Sequence, residues 1–384
     1  MIYLDHNATT PLHPAVFRAM EPYMREQFGN ASSSYRLGRS AKSALEASRK
    51  SIAGCLGAQP DEIVFTGGGT ESDNIAIRGV AHALRSKGNH VITSHIEHHA
   101  VLNTCQDLER EGFRVTYLPV DSGGQINPDD VRSHIGAETI LITVMLANNE
   151  TGVIQPLSEV GKIAREEQII FHTDAVQAVG KIPVDVNELS VDLLSLSGHK
   201  FYGPKGVGAL YVRRNTPINP PFTGGHHERN IRPGTENVPG IVGLAEALLL
   251  ATGSLPEVAQ KLTGLRQRFE ATVLRKINGV QINGRSAPRV HNTSNMSFQS
   301  IEGESILLHL DLKGIYASSG SACSTDSPEP SHVLVAMGVP AGTAQGTIRF
   351  SLGKDNTDDQ IDYVMEALME ITARLREISS VRDK

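Results

Sequence analysis

Between residues 40 and about 250 the apolar positions follow two alternating periods. Short β-branched runs, "EIVFT" (62–66), "HVITS", "RVTYLPV", "TILITVML", "QIIFHTDA" and "VDLLSLS", read as buried strands, and most are separated by stretches with helical spacing. "RSAKSALEASRKSIAGCLG" predicts a helix that stops at Gly57, and "TESDNIAIRGVAHALRS" predicts another behind a glycine turn. This rhythm predicts an α/β fold with a mainly parallel sheet covered by helices on both faces. Ligands on such sheets bind beyond the carboxyl ends of the strands.

After about residue 255 the texture changes. An amphipathic helix (roughly 256–277) leads to strands at "TSNMSFQ" and "GTIRFSLG", with helices near 303–313 and 357–378. The expected organisation is a large ligand-binding domain over 15–255 and a smaller α/β domain formed by 1–14 and 256–384. Periodicity alone leaves open which of the two the N-terminal segment packs on.

Composition narrows the class. A hydrophobic fraction of 39% with 36 glycines and 19 prolines suits a soluble globular chain with a sizeable core. The net charge is −6 and no basic block occurs, which argues against nucleic acid or an anionic membrane as partner. No apolar run approaches the roughly 20 residues of a membrane span. "MIYLDHNATT" lacks the features of a signal peptide, and three unpatterned cysteines make no disulfide framework, so the expected compartment is a reducing cytoplasm.

Three strand ends carry candidate chemistry. "FTGGGTESDNIAIRG" puts three glycines, the last Gly69, and Thr70 between a strand and a helix. Such a turn can cradle a phosphate on free helix N–H groups, or can be a tight turn with Thr70 as N-cap. "IIFHTDAVQAVG" places Asp174 after a strand with Gln177 three residues on; the carboxylate either faces a cation or caps a following helix. "VDLLSLSGHKFYGPKGVGALYVRR" ends a strand in Ser197, Gly198, His199 and Lys200. Lys200 reads as a surface charge or as a desolvated amine able to form a Schiff base, with Lys205 as a solvated second candidate. Together a phosphate cradle, an acid for a pyridinium nitrogen and a Schiff-base lysine are the parts of a pyridoxal phosphate site.

"SGHKFYGPKGVGALYVRR", "LDHNATTP", "GGTESDNIAI" and "SSGSAC" together resemble the group I cysteine desulfurases, of the nitrogen-fixation and iron–sulfur-cluster housekeeping type, over essentially the whole chain. The resemblance implies the class V, fold type I architecture of pyridoxal 5'-phosphate enzymes. It implies that Lys200 holds the cofactor, that Asp174 pairs with its pyridine nitrogen and that Gln177 contacts its phenolic oxygen. Gly69, Thr70, Ser197 and His199, with Thr235 of the partner subunit, would hold the phosphate, which requires a homodimer with shared sites. His98 would stack on the ring and move protons, Asn149 would lie near the cofactor oxygen and substrate carboxylate, and Arg349 would grip that carboxylate. Cys323, in the small-residue loop "SSGSACSTDSPEPS", would take sulfur from L-cysteine as a persulfide and pass it to an acceptor or iron–sulfur scaffold protein, leaving alanine. Cys55 and Cys105 read as packing residues.

The chain departs from the family pattern at His226 and Pro233, in the Asp326 and prolines of the loop, and in ending soon after its last predicted helix. Rival readings are a class V aminotransferase or selenocysteine-preferring lyase of the same fold, a non-catalytic relative, and a metal-dependent hydrolase built on "HIEHH" and "GGHHE". The histidine spacing lacks the HExxH of a zinc helix, and no metal is expected.

Overall fold

The computed structural model describes residues 1–319 and 330–378. Strands are numbered in chain order: β1 Ile2–Tyr3, β2 Ile63–Thr66, β3 His90–Ser94, β4 Arg114–Leu118, β5 Thr139–Thr143, β6 Ile170–Asp174, β7 Leu193–Ser197, β8 Gly208–Val212, β9 Val280–Asn283, β10 Thr293–Phe298, β11 Ile315–Tyr316, β12 Ser318–Ser319 and β13 Thr347–Ser351. Seven of them form one sheet in the order β2-β8-β7-β6-β5-β3-β4. Neighbours among β3 to β7 pair in parallel, and β8 alone runs against both of its neighbours, β7 and β2. The sheet is buried on both faces, so its residues alternate between two cores rather than between core and water. Ile63, Phe65, Ile92, Ile142 and Leu194 face one core; Val64, Val91, Leu141 and Leu193 face the other.

The runs read as strands from the sequence coincide with β2 to β7; "HVITS" matches β3 residue for residue, and the others are trimmed by a residue or more. The strand β8 is an addition to that reading. It follows a Gly-Pro loop whose composition masks it, and its first residue has a packing reason. A side chain at Gly208 would meet Leu196 O at 2.5 Å and Gly68 Cα at 2.8 Å, so only glycine lets β8 press against the glycine turn. The helix Arg36–Leu56 stops where predicted, with Gly57 in the left-handed conformation at φ 69°.

A second core lies outside the large sheet. Here β12-β13-β10-β9 form an antiparallel sheet, and β1 pairs in parallel with β11. Helices Leu255–Lys276, Gly303–Leu312 and Asp358–Ile378 cover it, and Phe269 meets Phe350 edge-on at 5.1 Å. Ile2 and Leu4 are buried in this core. The chain then crosses a bridge at Asp5–Ser351 and runs directly to the strand ends of the large sheet. Among the described residues no single helix is long and apolar enough to cross a membrane.

The segment leading to Thr235 is held in an unusual way. Glu228, Arg229 and Asn230 all have positive φ, at 43°, 55° and 64°. Non-glycine residues rarely adopt that region, and a run of three persists only where its surroundings enforce it. The enforcement is a buried ion pair. Glu228 accepts from Arg49 Nη1 and Nη2 at 2.8 and 2.7 Å and from the Phe65 N–H at 2.8 Å, while Arg49 also lies over the Phe65 ring. Arg49→Ala leaves that carboxylate buried and unpaired, and should lower stability by about 3–5 kcal/mol. Urea unfolding measures this; the double variant Arg49→Ala/Glu228→Ala should recover part of the loss.

Candidate active site

Because β3, β5, β6 and β7 run the same way, the residues that follow them gather at one edge of the sheet. A cavity of about 270 Å³ opens there. Its walls are Gly69, Thr70 and Asp73 from the helix after β2, His98 after β3, and Met145, Ala147 and Asn149 after β5. Asp174, Val176 and Gln177 follow β6, and Ser197, His199 and Lys200 end β7. Arg349 enters from β13 of the second core, and Asn7 and Ala8 from the N-terminal segment. Ten of the residues expected from sequence therefore meet in one place: Gly69, Thr70, His98, Asn149, Asp174, Gln177, Ser197, His199, Lys200 and Arg349. Thr235 is exposed on this chain and does not line the cavity. Cys323 lies outside the described residues.

The helix Gly69–Leu84 starts at Gly68 without a side-chain cap, so Thr70 is a first-turn residue and not the N-cap. Its early N–H groups are the unsatisfied donors of a helix start. A second opening, lined by Gly67 to Thr70, Ser197, His199, Lys205 and Phe222, reaches the same turn from another side. Lys205 is exposed there. His226 and Pro233, the two departures, contact Asn230 (2.7 Å) and pack by Gly224 respectively, and neither lines the cavity.

Lys200 ends a 3-10 turn, and its Nζ donates to Asn7 O at 2.7 Å and Ala8 O at 2.9 Å. Asp174 is buried. Its Oδ1 accepts the Val176 N–H at 2.9 Å, within a turn where the alternative reading had a capped helix. Burial pushes its carboxyl up to about 6, against the pull of that N–H and of Lys200. Asp73 stands beside it, its Oδ1 making no hydrogen bond among the described residues and lying 3.6 Å from His172 Nε2; burial, then the Asp174 charge, raise it well above the usual range. Beneath them His172 is held down to about 3 by burial and is neutral, tied to Thr143 and Ser195 at 2.8 and 3.0 Å.

His98 caps the helix His99–Arg110, its Nδ1 accepting the Ala100 N–H at 3.1 Å. Burial first, and Lys200 second, hold its ring down to about 4. A neutral imidazole whose Nδ1 accepts carries its proton on Nε2, and His98 lines the cavity. His199 is likewise lowered to about 4 by burial and Lys200, with its Nδ1 3.1 Å from Thr9 Oγ1.

Arg349 sits in the middle of β13 and is buried, not on a strand edge. Its Nη2 donates to Asp5 Oδ1 at 2.7 Å and its Nη1 to Asn149 O at 3.1 Å, while Nε is buried with no partner among the described residues. An unpaired buried guanidinium donor at a cavity wall fits an incoming carboxylate. Asp5, Asn7 and Asp73 are site residues that sequence reasoning missed. "LDHNATTP" and "GGTESDN" contain them, but their roles arise from contacts that no local pattern encodes. Among the described residues no group of three or more His, Cys, Asp or Glu could hold a metal ion.

Residues 2–364 match the Aminotransferase class-V family. The chain belongs to that family. It is 54% identical, over 100% of its own length and 95% of the relative's, to a protein named Cysteine desulfurase IscS from Methanosarcina thermophila. A solved NifS-like protein superposes with a TM-score of 0.91 at 39% identity, covering 97% of this chain and 100% of that one. Another, titled SspA in complex with cysteine, gives 0.83 at 38% identity over 93% and 100%.

One buried acid behind the cavity has a consequence for pH. Glu97, next to His98, accepts from Ser94 Oγ at 2.5 Å and from the Met145 N–H at 3.0 Å, which ties the turn after β3 to the end of β5. Burial pushes its carboxyl from 4.5 to about 8. The folded state therefore keeps a proton that the unfolded chain releases, and the associated stability is lost as pH rises from about 4.5 through about 8. Glu97→Gln, neutral throughout, should gain on the unmodified protein between pH 6 and pH 9 in urea-unfolding midpoint. A constant difference would contradict the assignment.

Proposed function

We infer that this chain is a pyridoxal 5'-phosphate-dependent cysteine desulfurase of group I, which converts L-cysteine to L-alanine and passes the sulfur through Cys323 to an acceptor protein. The observation that carries the reading is the convergence on one cavity of Lys200, buried Asp174, the uncapped helix start at Gly69 and Arg349, whose Nε has no hydrogen-bond partner among the described residues. The relatives named cysteine desulfurase, and the solved homologue with cysteine in its title, support the substrate.

The donor set fits the cofactor. Asp174 and Asp73 are carboxyls raised by burial, and a pyridinium N–H offers Asp174 the cation it lacks. Thr70, Ser197, His199 and the Gly69 turn would hold the phosphate, with Thr235 of the partner subunit entering through the second opening. Exposed apolar side chains at Phe17, Met24, Phe28 and Tyr35 support a homodimer. Lys200 would hold the cofactor's aldehyde carbon, Gln177 and Asn149 its phenolic oxygen, and His98 the ring face. When bound, the cofactor supplies an electron sink for the pair left on the substrate's α-carbon.

The chain's own residues do the rest. Arg349, aimed by Asp5, grips the substrate carboxylate and so sets which bond at the α-carbon faces Lys200. Lys200 Nζ would take the α-proton and later return it to the α-carbon. His98 Nε2–H is the donor placed to move a proton toward the leaving or protonating side. The Cys323 thiolate attacks the substrate sulfur. The carbon–sulfur bond breaks, a sulfur–sulfur bond forms on Cys323, and the former Cβ takes a proton to give alanine. The same reading divides the chain into a cofactor-binding domain over 15–255 and a smaller one over 1–14 and 256–384, working in the cytoplasm.

An aminotransferase has no use for Cys323, and this separates the rivals. In a single turnover with L-cysteine, the purified cofactor-loaded protein should release alanine and gain the mass of one sulfur on the peptide containing Cys323. Cys323→Ala should do neither. Alanine from both proteins, or keto acid without a mass gain, would make the loop cysteine incidental.

A further inference from the structure

Lys181 is a buried lysine that the mechanism does not use. It lies on the wall between the site and a neighbouring cavity of about 370 Å³, which Lys200 also lines and whose walls mix apolar side chains such as Phe201, Leu250 and Leu262 with polar ones. Its Nζ donates to Gln177 Oε1 at 2.5 Å and to Asn7 Oδ1 at 2.9 Å. Burying an amine in such a place is costly unless those bonds are made.

An amide can turn end for end with little change in shape. Burial, with Lys200 and Arg349 nearby, disfavours the charged form of Lys181, but in either form its amine carries at least two N–H donors, one for each of the two amide oxygens that face it. For Gln177 this leaves the NH2 group on the cavity side, with one N–H bound to Asn7 O at 2.9 Å and the other available to what occupies the cavity. Asn7 O favours the same orientation, yet it also accepts from Lys200 at 2.7 Å, so its hold on Gln177 is shared. Lys181 acts on the opposite end of the amide, with one N–H for Gln177 Oε1 and another for Asn7 Oδ1.

We propose that Lys181 is a positioning residue for Gln177, locking its amide so that a hydrogen-bond donor faces the phenolic oxygen of the bound cofactor. The inference rests on the reading of Gln177 as the cofactor contact. A donor at that oxygen draws electron density from it and weakens its hold on the proton shared with the lysine-bound nitrogen, which lowers the pH at which that proton is lost. Lys181→Met removes the lock while keeping the length and apolar stem of the side chain. Lys181→Arg keeps a donor-only group, and the adjoining cavity leaves room for it.

The test is a pH titration of the visible absorbance of cofactor-loaded protein without substrate. Gln177→Ala should move the transition upward by about one pH unit, the size expected for losing one hydrogen bond to a charged oxygen. Lys181→Met should move it the same way, the double variant no further than the larger single shift, and Lys181→Arg should stay near the unmodified value. If Lys181→Met does not fold, Lys181→Leu carries the test, because it too removes every donor from that position and should also shift the titration upward. A shift with Gln177→Ala but none with either Lys181 variant overturns the inference alone. An unmoved titration in Gln177→Ala overturns the reading of Gln177 and the inference with it.

Discussion

The site depends on two backbone carbonyls. Asn7 O and Ala8 O accept hydrogen bonds from Lys200 Nζ, across 193 and 192 residues of sequence. The segment that supplies them is anchored in the second core by Ile2 and Leu4 and bridged to β13 at Ser351. The lysine of the large sheet is thus aimed by a turn whose preceding residues are anchored in the other core. Asn7 extends the coupling through its side chain, which reaches Asn149, Thr293, Lys181 and Asn292. Any change in how the two cores sit would be felt first at Lys200.

Around that tie the site is a desolvated place. Burial raises Asp73, Asp174 and Glu97 and lowers His98, His172 and His199, so acids and imidazoles alike are driven toward their neutral forms. Arg349 keeps its charge, as an arginine must, and is compensated on one side by Asp5. The arrangement favours an occupant that brings its own charges: a cation for the buried acids, and anions for the helix start and the guanidinium. An amino acid joined to a phosphorylated pyridine has that distribution.

How far the sequence could be read follows from the range of each interaction. The strands β2 to β7 were legible because continuous β-branched runs mark strands buried on both faces. The glycine-rich approach hid β8, whose first residue answers to Leu196 and Gly68 and not to its neighbours in sequence. Asp174, Ser197, His199 and Lys200 were legible because chemistry at a strand end is a local signal. Arg349, on local signals alone, reads as a surface residue, and only the family resemblance pointed inward. Asp5, Asn7 and Asp73 went unread because hydrogen bonds such as Asp5 to Arg349, over 344 residues, leave no periodicity. Lys181 carries no local signal for the same reason.

The central claim is that Lys200, held by the N-terminal segment, is where this chain binds pyridoxal 5'-phosphate. Borohydride reduction of the cofactor-loaded protein, followed by peptide mass mapping, tests it directly. The account predicts the pyridoxyl mass on the peptide carrying Lys200, with Lys181 and Lys205 unmodified. Label on either of those lysines, or cofactor absorbance with no lysine labelled, would contradict it.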